Sequence, residues 1–150
     1  MFRTASLIFL LISGCAPQYV GRIAESEADV PVRAAYFSNT PKALDLAFRA
    51  ACDAPGDEFA SLDATTDQCR IPPTPDIAAF LLVTFDGALE APRLIIQKRV
   101  LPAADGASVE LSYFAEVPQK SGSVRRVYFK QPSLDRLIDD MLQRAGGTLP

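Results

Sequence analysis

From residue 108 to residue 117 apolar and polar side chains alternate, with Val109, Leu111, Tyr113, Ala115 and Val117 on one parity and Ser108, Glu110, Ser112 and Glu116 on the other. Only a β-strand puts successive side chains on opposite faces, so this stretch predicts a half-buried strand whose apolar face needs a covering layer. Phe114 alone interrupts the polar parity. A cover is legible near the end of the chain. Leu134, Leu137, Ile138, Met141, Leu142 and Ala145 recur at helical spacing, Ser133 offers a cap and Gly146-Gly147 a stop, predicting an amphipathic helix over about 133–145. Asp140 and Arg144 stand i,i+4 on its outer face.

A second helix is predicted over about 41–52, where Thr40 is the candidate cap, Pro41 takes the first turn, and Leu44, Ala47, Phe48, Ala51 and Cys52 form the apolar stripe. Residues 32–37 read as a strand before it. Residues 59–62 and 69–71 read as a hairpin around a polar turn, which returns Cys69 to the helix end bearing Cys52. The run 77–85 follows a proline cluster. Thr74-Pro75-Asp76 resembles a helix start, but nine apolar-rich residues ending Val83-Thr84-Phe85 suit a buried strand, and a strand is the expectation. Further strands are expected over 93–101, 108–117 and 124–130, joined by a turn over 103–107 and another over 118–123. Short connections favour an antiparallel meander. The expected fold is therefore a two-layer α+β domain over 31–150, with both helices packed on one face of the meander. This order of elements resembles the small helix-grip domains of some envelope lipoproteins.

The chain opens with Arg3, an apolar run over 5–12, and Ser13-Gly14 directly before Cys15. That is the layout of a cleaved signal peptide, too short to span a bilayer, which takes about 20 apolar residues. Ile12-Ser13-Gly14-Cys15 resembles the lipobox of bacterial lipoproteins. The resemblance implies cleavage after Gly14, acylation of Cys15, and, with Ala16 rather than Asp next in line, residence at the outer membrane with the domain in the periplasm. Residues 15–30, polar and aperiodic, are expected to be a flexible tether. Cys52 and Cys69 are then the remaining thiols. In an oxidising compartment they are expected to form a disulfide, two buried free thiols being the alternative.

The chemistry that the sequence offers is sparse. The chain has 150 residues and no His, which removes the usual general base, every His-dependent nucleophile triad and the commonest metal ligand. No phosphate loop or dinucleotide fingerprint is present, and no cofactor or metal is expected. Lys120-Ser121 is the one adjacent Ser/Lys pair and lies in a predicted turn. Charge is divided along the chain. Residues 53–90 carry eight acids and one base, residues 93–130 seven bases and three acids. The acidic block fits turn chemistry better than a calcium loop. In the basic block, Lys98 or Arg99 and Arg125 or Arg126, with Lys130, are candidates for a patch on one sheet face that attracts an anionic envelope ligand or an acidic protein surface. The formal charge of −3 argues against nucleic acid. The expected function is non-enzymatic: an accessory or scaffold module held to the membrane through Cys15, with other envelope proteins as partners.

Overall fold

A computed structural model describes residues 21–24 and 29–150. The expected signal peptide over 1–14 and the acylation site Cys15 lie outside the described residues. Among those described, the order is β1 (Gly21–Ala24), β2 (Val32–Phe37), α1 (Lys42–Ala51), β3 (Glu58–Ser61), β4 (Thr66–Ile71), α2 (Pro75–Thr84), β5 (Arg93–Ala103), β6 (Gly106–Pro118), β7 (Val124–Phe129) and α3 (Pro132–Arg144). The strands form one antiparallel sheet in the order β1-β7-β6-β5-β4-β3, with β2 also on β6. The α+β meander is thus present, and β6 is its axis. One edge of β6 pairs with β5 over residues 106–116, while the other edge is shared, residues 107–112 taking β2 and residues 115–118 taking β7.

The alternation along β6 assigns the two faces. Val109 and Leu111 meet Ala35 and Phe37 of β2, Leu44 of α1, and Ile138 and Leu142 of α3 in one buried cluster. Farther along the same face, Ala115 and Val117 join Val127 of β7 with Leu81 and Phe85, the contribution of α2. All three helices therefore cover the same side. Between the two clusters stands Tyr113, whose hydroxyl lies 3.2 Å from the Phe129 carbonyl and 3.2 Å from Asp135 Oδ1. Burial and the Asp135 carboxylate together hold its phenol above the ordinary range. Arg33 of β2 donates to Asp139 of α3 at 2.8 Å, fastening the last helix to the sheet.

Four sequence expectations are corrected here. Residues 77–84 are helical, not extended, and Phe85 caps the helix. Pro75 occupies the first helical turn, where a missing N–H is harmless, and Ile77, Leu81 and Phe85 face the sheet at i, i+4, i+8. The periodicity was hidden because Ala79 and Val83, on the opposite side, are apolar as well. Secondly, residues 15–30 are not all tether. Gly21–Ala24 pairs with β7, and Val30 is buried on the helix-free face against Ala24, Ile95 and Phe114. This long-range cover also explains why Phe114 breaks the polar parity of β6. Thirdly, the first turn of α1 is preceded by Pro41 and that of α3 by Gln131, and neither has a side-chain cap hydrogen bond, so Thr40 and Ser133 do not cap. Finally, the β5–β6 hairpin is tighter than the expected turn over 103–107, since Ala103 already pairs with Gly106. Glycine is required there because a Cβ at residue 106 would sit 2.0 Å from the Phe37 carbonyl oxygen.

Candidate functional site

The registers of β5 with its neighbours divide the candidate basic residues between the two faces. Residues directly opposite across a ladder share a face. Lys98 is opposite Leu111 and so faces the helices, whereas Arg99 is opposite Glu110 and faces away. In β7, Arg126 is opposite Glu116 on the helix-free face, while Arg125 is opposite Val117 on the helix side. Arg125 donates to the Phe85 carbonyl at 3.1 Å, meeting a backbone acceptor at the C-terminal end of α2. Lys130 is exposed in the connection between β7 and α3. The structure thus brings Arg99 and Arg126 to one face and places Lys98, Arg125 and Lys130 elsewhere.

On that helix-free face the side chains form a cross-strand ladder. Arg99 lies 3.8 Å from Glu110, Arg126 3.6 Å from Glu116, and Arg70 3.7 Å from Glu58. Arg93 shares the register position of Glu116, and Arg22 that of Tyr128. Arg126 also stands over the Phe114 ring at 5.7 Å. In the middle of the face, Gln68 donates to Gln97 at 2.8 Å, both buried. At the strand positions of this face five arginines stand against three glutamates. No helix packs on it among the described residues; the only described cover is Val30 and its neighbours.

The other side holds a cleft of about 520 Å³ between α1, the β3–β4 hairpin and β5. Lys98, only 2% exposed, forms its floor. Its ammonium lies 2.6 Å from Asp45 Oδ1 of α1 and 2.9 Å from Asp67 Oδ2 of β4, with the Phe48 ring centroid 5.2 Å away. The Ser61 hydroxyl donates to the other Asp67 oxygen. Burial pushes the Asp67 carboxyl up, but the Ser61 and Lys98 hydrogen bonds, the Lys98 charge and the field of Arg49 outweigh it and leave the group below its ordinary value. Arg49 itself stacks on Phe59 at 4.3 Å. An ammonium donating to two fixed carboxylates is a latch joining helix to sheet. The sequence carried one sign of it, since Lys98 shares the parity of Leu94, Ile96 and Val100 in an otherwise apolar row. Its partners Asp45 and Asp67 are 53 and 31 residues away and had no such sign.

The Asp67 shift has a pH consequence with a defined sign. Because the folded carboxyl is more acidic than the unfolded one, its contribution is complete above the ordinary carboxylate range, about pH 4, and is lost as pH falls through the folded value. Asp67→Asn is expected to lower stability by about 1.5 kcal/mol at pH 7 and to reduce the further loss as pH falls below about 4. Urea denaturation across that range measures both. An unchanged acid limb would show that Asp67 is not one of the groups titrating there.

Just beyond the cleft, the Cys52 and Cys69 sulfurs are 2.03 Å apart, a disulfide from the end of α1 to β4. Asp57 is close to these sulfurs, but a disulfide leaves no thiolate to bind a metal. Lys120 pairs with Asp86 at 2.7 Å, both exposed, and Ser121 bonds with Ser123, so the adjacent Lys120-Ser121 pair is not arranged as nucleophile and base. No family model matches the chain, and neither does any curated protein or solved structure.

Proposed function

We propose that the chain is a lipid-anchored protein of a bacterial cell envelope, held through Cys15 at the periplasmic face of the outer membrane, whose domain is a non-enzymatic accessory module. Its docking surface is the helix-free face of the sheet. The observation carrying this reading is the asymmetry of the sheet: among the described residues, three helices cover one face, and the strand positions of the other present five arginines to three glutamates, a pattern suited to an acidic protein surface or an anionic envelope ligand. The Cys52–Cys69 disulfide fits an oxidising compartment. The most polar groups of the cleft are consumed in holding α1, which favours the helix-free face as the binding surface.

Fractionation of the wild type and Cys15→Ala tests the anchor, and affinity purification of the acylated protein tests the module. The wild type is expected in the membrane fraction, with a stable partner whose recovery falls when Arg99 and Arg126 are both changed to Ser. Cys15→Ala is expected to reach the soluble periplasmic fraction or to fail in maturation. An acylated, membrane-bound Cys15→Ala protein would contradict the anchor. Purification of the intact wild type alone would contradict the module.

A further inference from the structure

α2 is the anomaly of the covering layer. Between Asp76 and Asp86 it carries no charged residue, yet only one side of it meets the sheet. Directly opposite the fully buried Leu81 stand Ala79, exposed, and Val83, 85% exposed. Leu89 in the following loop is fully exposed, and Ile23 of β1, on the same side of the sheet, is 50% exposed. Helices apolar on all sides are ordinarily buried on all sides, and clustered exposed apolar groups mark contact surfaces.

The position of α2 names the occupant. Gly21, where β1 begins, is opposite Phe129 in the sheet, and the Phe129 ring lies 6.4 Å from that of Phe80 in α2. Only five residues separate Cys15 from Gly21. Whatever their conformation, six Cα-to-Cα steps span at most about 20 Å. The sheet is wider than that reach, since β3 is five strand spacings from β1, about 24 Å. A lipid on Cys15 therefore keeps the β1–β7–α2 end of the domain within about 20 Å of the bilayer, whereas the β3 edge, about 24 Å farther across the sheet, is not held there by the tether.

Resting on the anchoring reading above, we infer that the outward face of α2, marked by Ala79 and Val83, sits in the headgroup boundary of the phospholipid bilayer that holds Cys15. The contact is apolar. An uncharged helical face gains by partitioning at the interface, and the covalent anchor supplies a high local concentration that lets a small surface suffice. The domain is thereby oriented, not merely tethered.

The test uses the full chain, acylated and reconstituted in vesicles of phosphatidylethanolamine and phosphatidylglycerol. With Cys15 acylated and Cys52 bonded to Cys69, an added cysteine is the free thiol for a fluorophore. Val83→Cys reports on α2. Leu46→Cys is the control, also exposed and apolar at 70%, but on α1, whose end is bonded to β4. Brominated phospholipids are expected to quench the label at residue 83 roughly threefold or more beyond that at residue 46. Equal quenching at the two positions in acylated protein overturns the orientation alone. Protection of residue 83 by a second copy, read as energy transfer between labelled chains, also overturns it. A protein whose intact mass lacks the acyl groups overturns the anchoring reading, and this inference with it.

Discussion

Lys98→Met is expected to cost about 3 kcal/mol of stability, the lower end of the range for breaking a buried ion pair by removing one partner. Met keeps the length and apolar stem of the side chain, so the loss isolates the charge. What remains is Asp45 and Asp67 facing one another with no cation between them. Their side chains are 40% and 22% exposed, so water relieves part of the repulsion and keeps the loss from the upper end. Changing Asp67 to Asn in the same chain is expected to recover part of the loss by removing one orphaned carboxylate. Urea denaturation at neutral pH measures all three variants. A loss below about 1 kcal/mol for Lys98→Met would place the triad with ordinary surface pairs and remove its role as a latch.

Loss of the Cys52–Cys69 bridge is the second large effect. The bond closes a loop of sequence separation 17, so the chain-entropy account gives about 3 kcal/mol, with a fall in Tm on the order of 10 °C for a domain of this size. Cys52→Ser with Cys69→Ser, or reduction of the wild type, is expected to show it by thermal unfolding. Alkylation with and without reductant should differ by two thiols. The bridge and the Lys98 triad both fasten α1 to β4, so removing both is expected to deviate from additivity. Equal Tm values with and without reductant would mean that the ion triad and the packing of Leu44 and Phe48 hold α1 unaided.

These two fastenings differ in how far the sequence disclosed them. The disulfide was legible because local patterns were enough: the apolar stripe of α1 ended at Cys52, and the β3–β4 hairpin brought Cys69 back beside it. The alternation of β6 and the apolar stripe of α3 were equally plain, because each element has one wet face and one dry face. Where contrast between faces was absent, the reading failed. α2 is apolar inside and outside, so its period could not be seen, and the β-branched and aromatic residues at its end pointed to a strand. Phe114 and Val30 were unreadable for a different reason. Their burial depends on a contact between residues 84 positions apart, and neither has a local pattern that announces the other.

The basic block shows how strand parity refines a charge argument. Lys98 and Arg99 are neighbours in sequence but occupy opposite faces, as do Arg125 and Arg126. One member of each pair belongs to the helix side and is engaged there, Lys98 by carboxylates and Arg125 by a backbone carbonyl. The other members, Arg99 and Arg126, join Arg22, Arg70 and Arg93 on the face proposed for docking. Orientation at the membrane adds to this arrangement. With the outward face of α2 at the bilayer, as proposed, the helix-free face of the sheet would be turned away from the membrane.

The proposed anchor is the acylated Cys15, and the intact mass of the protein isolated from its own membrane tests it most directly. The predicted mass is that of the chain from Cys15 to Pro150, two hydrogens lighter for the disulfide and heavier by the diacylglyceryl and amide-linked acyl groups. A chain that keeps residues 1–14, or one cleaved elsewhere with an unmodified Cys15, would contradict it.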